Sequence, residues 1–177
     1  MPLELNDIFV TPDSSIEVDE CFEYDDLSAE GEQLVVSPVR VRGQVRNTGG
    51  LVELGYTAEF RYSKPCDRCL TVSEKSAVYH FTHTLALSAE NDDTDDIIVT
   101  AGYTLDLFSL VRDDILLELP VKHLCSDDCR GLCPTCGKDL NEGPCACKTD
   151  ETDPRLSPLS AVLERLREKE KQKPTEK

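Results

Sequence analysis

The sequence predicts an α+β fold: a twisted antiparallel β-sheet or half-barrel, a covering helix, and a cysteine-rich, zinc-binding C-terminal module. Three observations carry this expectation. Apolar residues occupy every second position in two stretches, one on either side of Gly49-Gly50, and again further along the chain. A stripe with helical spacing follows. Eight of the nine cysteines then fall into groups, which in a chain without scattered thiols points to metal ligands.

The sheet elements come first in the chain. Val39, Val41 and Val45 alternate with Arg40, Arg42, Gln44 and Arg46; after Asn47-Thr48-Gly49-Gly50 the pattern resumes as Val52, Leu54, Tyr56, Ala58, Phe60 and Tyr62. This is a β-hairpin with one buried and one wet face. Parity places Arg40, Arg42 and Arg46 on the wet face, with Glu53, Glu59 and Arg61 across from them. Cys66 and Cys69 sit at the turn into a third strand, where Ala77, Tyr79, Phe81, His83, Leu85 and Leu87 alternate. Further strands are expected from Ile16 to Phe22, with Cys21 as a small core residue, and from Asp96 to Thr100. The acidic run Glu90 to Asp96 reads as a solvated loop.

Two helices are expected after the sheet. Thr104 is placed to cap a helix whose stripe is Phe108, Val111, Ile115 and Leu119, flanked by Leu107 and Leu116 and ended by Pro120. Leu110 and Leu117 lie on its other side, which predicts cover on more than one face. A second helix starts at Ser157-Pro158, with Leu159, Val162, Leu163 and Leu166 on one face. The domain expectation is a β-rich part over 1–120, a cysteine module over 121–148 packed on it, a closing helix over 149–170 and a disordered tail over 171–177.

Composition bounds the function. The 177 residues carry 35 acidic and 19 basic side chains, a formal charge of −16, which excludes wrapping a polyanion along the whole surface. The acids are concentrated at the start, where residues 1–32 contain no Lys or Arg. No window offers the roughly 18 apolar residues that span a bilayer, and no export signal is visible, so the expectation is a cytoplasmic chain without membrane partners. Neither a phosphate-binding glycine loop, a nucleophile elbow nor a His-Glu-x-x-His motif occurs, so the expectation is that the chain is not an enzyme and has no small-molecule substrate.

The cysteines carry the chemistry. Cys66-Asp-Arg-Cys69 and Cys133-Pro-Thr-Cys136-Gly137 each let two thiolates face one ion from a tight turn. Cys125 and Cys129 lie between these two turns, and Cys145 and Cys147 close the series. Four thiolates close a tetrahedral zinc site, so eight predict two structural sites with no position open for water. The preferred grouping is Cys133, Cys136, Cys145 and Cys147 as a local site, with Cys66, Cys69, Cys125 and Cys129 clamping the hairpin region to the end of the helix. The competing grouping joins the two Cys-x2-Cys turns and leaves the other four together. Iron is the alternative ion.

The run CSDDCRGLCPTCGKDLNEGPCAC, with Cys66-Asp-Arg-Cys69-Leu70, the helix end Leu117-Glu118-Leu119-Pro120, Asp153-Pro154-Arg155-Leu156 and the Leu159 to Leu166 stripe, resembles the YceD family of large ribosomal RNA subunit accumulation proteins. The resemblance extends from about Leu34 to Leu166. It implies a role in synthesis, processing or accumulation of large-subunit (23S) ribosomal RNA, hence ribosome biogenesis. The expected partner is pre-ribosomal RNA or a basic ribosomal protein. Arg40, Arg42, Arg46, Arg61 and Arg68 are the candidate contact residues, with ion pairing to Glu53 and Glu59 as their competing use. A zinc–thiolate redox switch or redox-regulated chaperone is the alternative function.

Overall fold

Alternation and turn chemistry generate the central sheet. The computed structural model describes residues 2–29, 32–88, 97–147 and 162, in two compact units, Met1–Gly131 and Leu132–Lys177. In the first unit β1 (Leu3–Glu4), α1 (Asn6–Val10) and β2 (Ser15–Phe22) are followed by a small pair, β3 (Ser28–Ala29) and β4 (Glu32–Gln33). Then come β5 (Val39–Thr48), β6 (Leu51–Pro65), β7 (Val72–Ala86) and β8 (Ile97–Val99). A 3-10 turn (Ala101–Tyr103), β9 (Thr104–Leu105) and α2 (Leu107–Glu118) complete the elements. Five strands form one sheet in the order β2-β5-β6-β7-β8, antiparallel except for the parallel β7–β8 pair.

The β5–β6 hairpin closes where the glycines predict. Gly49 and Gly50 have φ of +59° and +97°, the positive values a tight turn with right-handed twist needs. Asn47 steadies the turn by accepting from the Gly50 amide at 2.9 Å, while its side-chain NH₂ donates to the Ile8 carbonyl at 2.7 Å and ties α1 to the sheet. Val39, Val41, Val45, Val52, Leu54, Ala58 and Phe60 project from the inner face and share one core with Val111 and Ile115 of α2. Burying such a side chain stabilises by about 1.5–3 kcal/mol. At Gly43 a Cβ would lie 2.1 Å from the Gly55 carbonyl oxygen and 2.6 Å from the Tyr56 Cβ. Two strands approach so closely there that only glycine fits.

Several expectations are corrected. The N-cap of α2 is Asp106, which accepts from the Ser109 amide at 3.4 Å and from its hydroxyl at 2.7 Å. Thr104 instead pairs with Glu4 in the β1–β9 ribbon. Cover of α2 is uneven: Leu107, Val111 and Ile115 are buried and Phe108, Leu110 and Leu119 pack partly buried against the core, whereas Leu117 is 85 % exposed and Leu116 is exposed as well. Cys21 is exposed rather than buried, since strand parity turns Val18 inward and residues 17, 19 and 21 outward. The β1 and α1 segments were not expected. The acidic loop at 90–96, the tail and the closing helix lie outside the described residues, except that Val162 is helical and exposed.

Candidate metal centres and the polar sheet face

The eight cysteines converge as two groups of four, Cys66, Cys69, Cys125 and Cys129 in one and Cys133, Cys136, Cys145 and Cys147 in the other. Within each group the sulfurs all lie within 4.8 Å of one another. These are the preferred groups; the pairing of the two Cys-x2-Cys turns does not occur. None of the nine cysteines is joined in a disulfide.

Chain geometry makes the first group. The turn from β6 to β7 carries Cys66 and Cys69: the Leu70 amide donates to the Cys66 carbonyl at 2.8 Å and the Cys66 amide to the Thr71 carbonyl at 3.0 Å. A reciprocal pair fixes the segment after α2 against it, Asp67 amide to His123 carbonyl at 2.9 Å and His123 amide to Asp67 Oδ2 at 2.7 Å. Arg68 Nη1 donates to the Cys129 carbonyl at 2.6 Å. Gly131 has φ +74°, and a Cβ there would sit 2.9 Å from the Arg68 carbonyl oxygen. The Cys66–Cys129 and Cys69–Cys125 sulfurs are 3.7 and 3.6 Å apart. Tetrahedral zinc with bonds of about 2.3 Å requires edges of about 3.8 Å, whereas a disulfide requires about 2.05 Å. The donor set therefore fits a tetrahedral thiolate metal.

Electrostatics agree. Burial raises the Cys66 thiol, but hydrogen bonds from the amides of Cys125, Arg68 and Cys69 outweigh it and bring it down to about 6. Cys125 moves the other way, up to about 12, because its neighbours Cys69 and Cys129 hold it as a hydrogen-bonded thiol and burial adds to this. A divalent cation would replace that shared proton among four sulfurs. His123, 1 % exposed, sits beside the group with Nε2 2.8 Å from Ser73 Oγ and its ring edge-on to Tyr62. Burial and then the charges of Lys75 and Lys64 lower its pKa, which favours the neutral ring.

The second group is local. The Cys133 amide donates to the Lys138 carbonyl and the Gly137 amide to the Cys133 carbonyl, both at 2.9 Å, with Gly137 at φ +71°. Lys138 Nζ donates to the Pro144 carbonyl at 3.1 Å, drawing in the segment that carries Cys145 and Cys147. Amides of Cys136 and Thr135 lower Cys133 to about 6. Cys147 is pushed up to about 12, first by its hydrogen bond to Cys136 and then by burial.

The candidate arginines behave differently. Arg40, Arg42 and Arg46 are exposed on the wet face, opposite Glu59, Thr57 and Glu53. Arg40 and Arg42 both reach Asp19 of β2, at 3.7 and 3.6 Å, rather than the two glutamates. Arg61 pairs with Glu74 at 3.2 Å, and Arg68 belongs to the first cysteine group. Among the described residues Arg46 has no ion-pair partner within 4.0 Å. An open groove of about 730 Å³ crosses this face, its lining including Arg42, Arg46, Glu53, Thr57 and His80. The face is thus a mixed-charge surface.

One polar cluster escaped sequence reasoning. Asp114 of α2 is 8 % exposed and accepts from the Tyr56 hydroxyl, while His83 Nε2 lies 2.7 Å from the same Oδ2. Its position three residues after Val111 and one before Ile115 places it on the buried stripe, and that was the available signal. The cluster pins the helix to β6 and β7.

With this geometry in hand, the class is a small β-sheet protein with two four-cysteine groups that could each hold a metal ion, and comparison with known proteins gives the family. A sequence model described as Large ribosomal RNA subunit accumulation protein YceD matches residues 54–163. The chain belongs to the YceD family. It is 30 % identical over 161 residues to the Bacillus subtilis (strain 168) protein YlbN, covering 86 % of this chain and 90 % of that one. It is also 33 % identical over 66 residues to an Arabidopsis thaliana protein named Large ribosomal RNA subunit accumulation protein YCED homolog 1, chloroplastic, covering 37 % of this chain and 21 % of the plant protein. A Zea mays protein of the same name is 39 % identical over 64 residues, 36 % of this chain and 22 % of that one. No solved structure matches. Among the described residues no helix is long and apolar enough to cross a membrane.

Proposed function

We propose that this chain is a non-enzymatic ribosome-biogenesis factor that supports the synthesis, processing or accumulation of large-subunit (23S) ribosomal RNA in the cytoplasm. The observation that carries this reading is the family match over 54–163, a span that contains both four-cysteine groups. Cys66, Cys69, Cys125 and Cys129 hold one zinc ion and Cys133, Cys136, Cys145 and Cys147 a second. Zinc supplies a cation that draws four thiolates together, and four sulfur ligands leave no position for water or substrate, so both sites shape the chain instead of reacting. Iron is the competing ion for the same donors. The partner is pre-ribosomal RNA or a basic ribosomal protein. A redox-switch role draws no support from the names of the relatives.

Depletion of the protein in growing cells should lower large-subunit relative to small-subunit ribosomal RNA. Affinity purification should recover ribosomal RNA or ribosomal proteins. An unchanged RNA ratio with neither class recovered would overturn the proposal.

A further inference from the structure

Among the described residues the outer edge of β2 is an open half-ladder. β2 ends the five-stranded sheet, and among the described residues no strand pairs with its outer side along Ser15–Phe22. Long open edges are ordinarily blunted by charged side chains, lysine above all, by proline or by a bulge. Ser-Ile-Glu-Val-Asp-Glu-Cys-Phe has neither lysine nor proline, every one of its eight positions pairs in register with β5, and its only blunting device is acidic. What it carries is negative charge. Glu17, Asp19 and Glu20 are exposed, as are Asp13, Glu23, Asp25 and Asp26 on either side, with no Lys or Arg among them. Beside the edge opens a cavity of about 60 Å³ whose walls include Leu3, Val18, Phe22 and Leu107, with Glu17 and Glu20 also lining it.

We propose that this edge is a docking site for an extended, basic protein segment, which adds to the sheet as a sixth strand. The inference rests on the ribosome-related reading above and specifies its partner as protein. An added strand satisfies the open backbone ladder, while alternate side chains find pockets. The cavity suits a lysine, its methylene stem on the apolar wall and its ammonium near Glu17 and Glu20. A second copy of this chain is a poor occupant, because like charges would face each other across the new pair. RNA is also a poor one: it has no amide ladder, and of the three β5 arginines opposite the edge strand Arg40 and Arg42 are engaged by Asp19, which leaves Arg46 alone against the acids of β2.

The probe is an eight-residue peptide of alternating lysine and valine, titrated against the full, zinc-loaded chain. The peptide should bind and slow amide hydrogen exchange along Ser15–Phe22. The same peptide with alternate backbone amides N-methylated keeps its charge but cannot form a ladder, and should bind at least tenfold more weakly. The double variant Glu17→Lys with Glu20→Lys should also weaken binding at least tenfold. Equal affinity for the methylated peptide, no protection of β2, or a single-stranded RNA 20-mer protecting β2 in place of the peptide would each overturn the proposal. Such a result would leave the depletion experiment untouched. Conversely, peptide binding with an unchanged RNA ratio and neither ribosomal RNA nor ribosomal proteins recovered would remove the ribosomal reading and keep the docking site.

Discussion

Asp114 shows how much one buried residue can decide. A carboxylate inside the core is tolerated because Tyr56 and His83 both turn to the same oxygen. Asp114→Ala strands those two groups and should lower unfolding free energy by about 2–4 kcal/mol in urea denaturation. Tyr56→Phe alone should cost about 1 kcal/mol, and the double variant less than the sum, the signature of a shared network. Gly43 makes the opposite kind of demand. Gly43→Ala forces a methyl group against the Gly55 carbonyl and Tyr56, and overpacking of this kind costs about 1–3 kcal/mol, readable in the same assay. The thiols add a pH dependence. Cys66 and Cys133 are held at about 6, Cys125 and Cys147 at about 12. At neutral pH zinc uptake must therefore expel protons from the second pair. Below about pH 6 the first pair is protonated too, so affinity should fall as pH drops and fall more steeply there, as a chelator-competition titration would record.

At the scale of elements, the hairpin and its successor strand were legible because period-two alternation and Gly49-Gly50 leave few other solutions. Facing followed from the same pattern, which puts the arginines and Glu53 and Glu59 on one face; the register itself, Arg40 opposite Glu59 and Arg46 opposite Glu53, is seen only in the structure. The cap of α2 was misread because Thr104 and Asp106 are both competent, and only the pairing of Thr104 with Glu4 removes it from the helix. The ion partners of Arg40 and Arg42 were missed because they come from β2, a strand whose place beside β5 no local signal specifies. The metal groups were legible as spacing, with two groupings open until the fold was known. Their independence is testable: Cys66→Ser and Cys133→Ser should each reduce bound zinc from about two ions per chain to about one by elemental analysis. Loss of both ions in either variant would show that the groups depend on each other.

For the whole molecule, charge and metal are linked. A chain with a formal charge of −16 works against its own compaction, and thiolate clusters add further negative charge unless a cation balances it. A zinc ion bound at each group would supply on the order of 10 kcal/mol to offset this. The two groups draw on it differently. One is closed within fifteen residues, from 133 to 147; the other joins sulfurs whose residues stand 56 and 63 apart.

That separation has a bearing on biogenesis of the protein itself. While it is being translated, the β6–β7 turn with its two thiols is polymerised 56 residues ahead of the matching Cys125. Any ion caught early is held by half a ligand set, so the sheet must survive its first seconds unlatched, and the latch can close only near the end of synthesis.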